Sequence, residues 1–324
     1  TYNTYYGTQS IPKLIDYVSD FADYMEIANR IRPNQQNFSQ ADIQEWRDNP
    51  NDPLYHPNVN WNEELFGGSA PIMNHSLGYS GGNEKTTYRF SMSYLDQDGI
   101  TNGNNIQRFG IRTNLSSEVL DGVRMGGNVF FRWTDLSPNA LTMSTTSTEW
   151  SPSITNLRHP DGRWGGTQSG SVQTISAPYA ELANRVREQN ERRLMGNVFA
   201  EWEIVDGLKA TAKVAMDFNQ GVTNNFNKRY DVWNFRTEQR IAQIELGTGR
   251  SATVAQNQDY QINTNLLLEY TKNIGNHNIK VLGGYETLRF RADGVNVTRQ
   301  QFPNNAVQGI NAGLELIGGG GTIA

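Results

Sequence analysis

GGNEKTTYRFSMSYLDQDGI, residues 81–100, carries the pattern from which the fold is read. Tyr88, Phe90, Met92 and Tyr94 alternate with Arg89, Ser91 and Ser93, the period-two spacing of a strand with one dry and one wet face. Gly81-Gly82-Asn83-Glu84 before it is a tight turn, and Asp96 to Gln107 after it is a longer polar excursion. From His75 to Phe131 the sequence holds four such strands, and the next connection, Asp121-Gly122, is tight again. Tight turns on one side and long loops on the other are what the wall of a transmembrane β-barrel looks like in sequence.

The same rhythm runs along the chain. Tyr2 to Gly7 is a short aromatic strand. Phe109, Ile111, Thr113 and Leu115 form one face of the next strand after the excursion; Val123, Met125, Val129, Phe131 and Trp133 form that of its successor. Leu194 to Ile204, Leu208 to Phe218 and Tyr260 to Thr271 alternate as well, with tight turns at Asp206-Gly207 and Gly275-Asn276-His277-Asn278. Ile279 to Phe290 is a weaker repeat. About nine strands of roughly ten residues result, each long enough to cross a bilayer at a tilt. Three inserts separate them, about 8–74, 136–191 and 220–258. In the first, Lys13 to Arg30 has helical spacing, Ser39 and Asp42 form a capping-box variant before a second helix, and Asn49 to Trp61 is a surface loop. In the second, Pro178 to Arg187 is expected to be helical. Gly318 to Gly321 and the closing residues trail off without finishing a strand, and we expect a piece of a longer protein.

Composition narrows the function. In 324 residues with a formal net charge of -5, no stretch approaches the ~18 apolar residues of a spanning helix. A barrel remains open, since only alternate residues meet lipid. The mild acidity without a basic run argues against a nucleic-acid partner. No cysteine is present, and His56, His75, His159 and His277 are scattered over turns and loops without metal-ligand spacing. Asp48, Asn51 and Asp52 lack the spacing and glycine of a calcium loop. Neither a nucleophile elbow nor a phosphate loop occurs, so no enzyme activity, metal or cofactor is expected. On the wet face Arg89, Arg112, Arg124, Arg132, Glu201, Glu203, Lys209, Lys213, Asp217 and Glu269 suit either a solvated sheet or a polar lumen. The continuity of the opposite apolar face favours the lumen.

HSLGYSGGNEKTTYRFSMSYLDQDGI, residues 75–100, resembles the SusC/RagA family of TonB-dependent outer-membrane transporters. FSQADIQEWRDNPNDPLYHPNVNWNEELF upstream and APYAELANRVREQNERRLMGNVFAEWEIVDGLKATAKVAMDF downstream are similar to further stretches of that family. The resemblance implies an all-β fold, part of an antiparallel barrel of about twenty-two strands filled by a plug. It implies an importer of glycans, oligosaccharides or peptides in the bacterial outer membrane, capped by a SusD-like lipoprotein and energised by the TonB complex. Tight turns would be periplasmic and inserts extracellular. The plug and TonB box of the family are not in this sequence, nine strands is an odd count, and the strand edges near Tyr2 to Gly7 and Ile279 to Phe290 are left open. A soluble carbohydrate-binding β-sandwich and a passive porin-like channel are the alternatives.

Recognition is then expected to rest on loops. Trp150, Trp164 and Trp233 are candidates to stack on sugar rings or cover a peptide, with Asp161 and Arg163 adding polar contacts. The competing reading is that these side chains pin the loops to the rim or the lipoprotein. Tyr88, Tyr94, Trp133, Trp202 and Tyr270 are expected to be membrane-interface anchors in contact with outer-membrane lipid.

Overall fold

A computed structural model describes residues 1–324 except 14–17, 35–37, 102, 138–157, 167–179, 181–182, 246–248 and 324. Its frame is one antiparallel meander. β1 (Tyr2–Ser10), β2 (Ser69–Gly82), β3 (Thr86–Asp98), β4 (Asn105–Leu120) and β5 (Val123–Ser137) are followed by the two-residue β6 (Trp164–Gly165). Then come β7 (Arg185–Val205), β8 (Leu208–Asn227), β9 (Arg229–Asn234), β10 (Gln239–Glu245), β11 (Ser251–Ile274), β12 (His277–Gln300) and β13 (Glu315–Ile323). The large sheet has ten strands, β1-β2-β3-β4-β5-β7-β8-β11-β12-β13, and a small one has the order β10-β9-β6.

Four tight turns, β2–β3, β4–β5, β7–β8 and β11–β12, lie at one end, and every longer connection lies at the other. The strands are also staggered. The row of paired residues that starts at Thr86, the first of β3, runs through Ser117, Met125, Ala200, Ala212 and Leu266 to Tyr285. Tyr285 is eight residues into β12, so strand ends slip by roughly one residue per strand. With ~3.4 Å rise and ~4.8 Å spacing, that slip tilts the strands by about 40°, the inclination a closing barrel requires.

Several expectations are corrected. The sheet has ten strands instead of nine, because Glu315–Ile323 pairs with Asp293–Gln300. Its glycines hide any alternation, so the closing residues do form a strand and β13 takes part of the edge assigned to β12. β7, β8, β11 and β12 run 20 to 24 residues, well past the alternating segments. The inserts therefore shrink to 11–68, 138–184 and 228–250, and the excursion after β3 to 99–104. The helix read from Lys13 starts later, at α1 (Phe21–Ile31), because Asp20 caps it by accepting from the Asp23 N–H at 3.0 Å. α2 (Gln40–Asp48) carries the expected capping box on Ser39 and Asp42. α3 (Trp61–Phe66) begins where only a loop had been read. Of the helix expected at Pro178–Arg187, Ala180, Ala183 and Asn184 are helical, residues 178–179 and 181–182 lie outside the described ones, and Arg185–Arg187 already belong to β7.

Most large apolar side chains of the ten-stranded sheet are exposed, and the buried clusters lie at the insert end. Phe21, Ala22 and Met25 of α1 pack on Phe38 and on Ile43 and Trp46 of α2. Trp61, Leu65 and Phe66 of α3 pack with Ala180 of the second insert and Tyr230 and Val232 of the third. The three inserts thus share one core. Burial of each large apolar side chain contributes on the order of 1.5–3 kcal/mol, enough in sum to hold them as a single headpiece.

Candidate functional site

Direct pairing places residues on the same face, so the registers divide the wall into two surfaces. Phe90, Thr113, Val129, Gly196, Met216 and Ile262 share one row of the apolar face. Among the described residues no second sheet covers that face; Val198, for example, is 63% exposed. Tyr88, Trp202 and Tyr270 stand on it two to four residues from the tight-turn ends of their strands. Tyr94 and Trp133 stand on it four residues from the opposite ends of theirs. Tyr94 Oη donates to Asp96 at 3.3 Å and Trp133 Nε1 to Asp135 at 3.0 Å. Each ring therefore keeps its body on the apolar band and its polar tip toward the insert end. From Val123, the partner of Trp202, to Trp133 is ten residues along β5. At ~3.4 Å rise and ~40° tilt this spans about 26 Å, matching the ~25 Å apolar band of an outer-membrane barrel.

The other face is polar. Asn114, Asn128 and Asn197 pair across three strands, with Arg89 beside Asn114. Glu203, Lys209 and Glu269 form a row of alternating sign near the tight turns, and Lys280 reaches Glu269 at 2.9 Å. Arg132 and Arg193 oppose each other directly, an arrangement that repels unless neutralised. Arg193 makes a two-point contact with Asp217 at 3.0 and 2.7 Å, and Arg132 approaches Glu191 at 3.8 Å. The expected inward set of charges thus shares one face, with part of it neutralised across strands.

In the headpiece the structure brings four of the five loop candidates together, while Trp150 lies outside the described residues. β6 pairs in parallel with β9, setting Trp164 opposite Val232 and Gly165 opposite Trp233. Arg163 donates from Nε to Asp161 Oδ2 at 2.7 Å and from Nη1 to Glu238 at 2.9 Å. Its guanidinium lies 5.1 Å from the Trp233 ring centre and 5.6 Å from that of Phe235. The Arg163 backbone N–H, followed by its side chain and His159, holds the Asp161 carboxyl below its usual range. Glu238 and then Asp161 push the Arg163 guanidinium up. Trp164 packs against the core shared by the three inserts and carries Arg158 over its ring at 4.5 Å. These contacts brace the second insert against the third.

A second clasp went unread in the sequence. His56 holds Asp52 Oδ2 through Nδ1 at 2.8 Å and Glu45 Oε1 through Nε2 at 3.0 Å. Arg236 from the third insert pairs with the same Glu45 and lies 5.3 Å over the Trp46 ring. The hydrogen bond from His56, then Arg236, lowers the Glu45 carboxyl from its usual range. Asp52, which lacks the surroundings of a calcium loop in the sequence, accepts from His56 and from the backbone of Leu54 and Tyr55. Glu45 and Arg236 are 191 positions apart, so no local pattern reveals them; the Asp52-to-His56 spacing is the one signal available.

No family model matches the chain. Over 319 residues it is 27% identical to TonB-dependent receptor P3 of Formosa agariphila, covering 94% of this chain and 28% of that protein. To TonB-dependent receptor SusC of Bacteroides thetaiotaomicron it is 22% identical, covering 73% and 24% respectively. The chain thus spans about a quarter of the length of the curated relatives it matches. Among solved structures, the RagAB peptide transporter superposes with a TM-score of 0.75 at 17% identity, over all of this chain and 38% of that one. These likenesses are to TonB-dependent receptors of the SusC/RagA type, and with its wall geometry the ten-stranded sheet matches part of the RagAB barrel.

Proposed function

We propose that the receptor to which this chain belongs is an outer-membrane active importer of glycans, oligosaccharides or peptides. It works with a SusD-like surface lipoprotein and draws energy from TonB through a plug seated against the polar face. The observation that carries this reading is the tilted meander with an uncovered apolar band about 26 Å high and every insert gathered at one end. Tyr88, Trp202 and Tyr270 then anchor one membrane interface, and Tyr94 and Trp133 the other. The headpiece lies at the cell surface, where the lipoprotein and substrate arrive. Asp161, Arg163, Trp164 and Trp233 brace that headpiece; the engagement of Arg163 with two carboxylates and of Trp164 with the core favours bracing over direct stacking on substrate. A RagAB structure of a peptide importer is among the likenesses and supports peptides as one substrate class.

The test is uptake by cells of labelled oligosaccharide and peptide pools, with the gene for the full-length receptor intact or deleted, and with or without a protonophore. Uptake that needs both the gene and the proton gradient supports the active importer. Gene-dependent uptake that survives the protonophore would favour the passive channel. A receptor recovered wholly in the aqueous fraction would favour the soluble sandwich.

A further inference from the structure

β4 and β5, in the middle of one half of the sheet, bring three arginines together on the inward, polar face. Arg108 and Arg112 flank Gly110 on β4, and Gly110 pairs directly with Arg132 of β5. At ~3.4 Å rise and ~4.8 Å strand spacing, the Arg132 Cα lies about 8 Å from that of each of the other two. Gly110 is buried, and a Cβ there would come within 2.9 Å of Ser93 Oγ, so no side chain stands between the arginines. Arg108 pairs directly with Thr134, which is 2% exposed and whose hydroxyl has no hydrogen-bond partner among the described residues. Arg108 Nε and Arg132 Nε are buried and equally unpartnered, a costly state unless an acceptor arrives. Arg112 lies 5.1 Å from the Phe130 ring centre and, like Arg108, enters no ion pair among the described residues.

Carboxylates of the wall do not balance this group. Arg193, one strand on, is neutralised by its two-point contact with Asp217. Glu191 approaches Arg132 only to 3.8 Å and also accepts from Gln189 at 2.9 Å. On the inward faces of β3, β4 and β5 the one acid is Glu118, opposite Arg124 near a tight turn. Three cations thus face one shared carboxylate. Their level matters as well. Arg132 and Thr134 flank Trp133, which stands at the insert-side edge of the apolar band, so the cluster lies inside the wall at the end where substrate arrives. We propose that Arg108, Arg112 and Arg132 receive a carboxylate of the incoming substrate, with the Thr134 hydroxyl beside them. The assignment rests on the importer reading above and gives it a substrate class, acidic peptides or uronate-bearing oligosaccharides. Charge-assisted bonds from paired guanidinium N–H donors to carboxylate oxygens supply the preference.

The test is uptake by cells that carry the full-length receptor, wild type or R108Q/R112Q. The labelled probes are an acidic peptide and its fully amidated counterpart, and a uronate-bearing oligosaccharide and its neutral counterpart. The variant should lose roughly ten-fold or more of the receptor-dependent uptake of at least one acidic probe, and keep its neutral counterpart within about two-fold. Which acidic probe responds identifies the source of the carboxylate. T134V should lower the same uptake several-fold with heat-modifiable migration unchanged, an effect that a merely structural threonine would not have. K213Q, nearer the tight turns on the same face, should behave as the wild type does. Acidic uptake equal in wild type and double variant, or wild-type uptake confined to the neutral probes, would overturn the assignment. Equal losses of acidic and neutral uptake, with the plug newly open to protease, would overturn it in favour of a seat for a plug carboxylate. Wild-type cells that take up none of the probes would overturn the importer reading, and the assignment with it.

Discussion

Arg236 ties the first insert to the third, through the Glu45 carboxylate and the Trp46 ring. R236A removes both contacts and leaves Glu45 to His56 alone. We predict several-fold faster proteolytic cleavage within residues 228–250 of the full-length receptor, with the barrel still assembled. Cleavage at the wild-type rate would show that the shared apolar core suffices. The clasp is also acid-sensitive. Because the folded-state value of Glu45 is depressed, its contribution is complete above the ordinary 4.5 and is lost as pH falls through the lower folded value. Protease protection of this segment should therefore be flat from neutral pH to about 5 and decline below that. Little of this was legible in the sequence. Trp164, Trp233, Asp161 and Arg163 were found as a group because loop aromatics and charges stand out, but their mutual engagement depends on a parallel pairing between two inserts. Contacts of that range leave no local trace.

Strands divide into a legible and an illegible part. Where one face meets an apolar medium and the other does not, alternation is strict, as in Tyr88 to Tyr94. Beyond the band both faces are polar, so the distal halves of β7, β8, β11 and β12 read as loop. β12 is a further case. Leu282, Leu288 and Phe290 pair with Glu269, Asn263 and Gln261 and so stand on the polar face, which blurs its period. Capping was legible at Ser39 and Asp42, whereas Asp20 was overlooked within a longer apolar repeat. Two predictions belong to this scale. V198R puts a charge at the middle of the apolar band and should destabilise the assembled receptor by about 2–4 kcal/mol, while the adjacent N197R on the polar face should cost much less. The heat-modifiable fraction across a urea series measures both; equal losses would contradict the assignment of faces. In the β7–β8 turn, Gly207 adopts φ +79, and a Cβ there would collide with the Thr271 carbonyl of β11. G207A should therefore lower the yield of assembled receptor, and an unchanged yield would show that the turn can be rebuilt at no cost.

At the scale of the molecule, the sorting of tight turns and inserts to opposite ends was the most legible feature, because it depends on connection lengths alone. The antiparallel meander follows from it; the tenth strand and the tilt emerge only from the pairing registers. The union of the inserts into one headpiece was not legible, since its core draws on α3, Ala180 and β9 from three separate segments. The central claim is that the ten-stranded sheet is a membrane wall with lipid on one side and a wet interior on the other. Its most direct measurement is a cysteine scan of this stretch, which contains no cysteine of its own, in a receptor made cysteine-free elsewhere. Single substitutions N197C, V198C, F199C, A200C, E201C and W202C in the full-length receptor, each spin-labelled in lipid, report accessibility to oxygen and to a water-soluble nickel relaxant. We predict oxygen maxima at 198, 200 and 202 and nickel maxima at 197, 199 and 201. Low oxygen accessibility at 198, 200 and 202, as for side chains packed under a second sheet, would contradict the account.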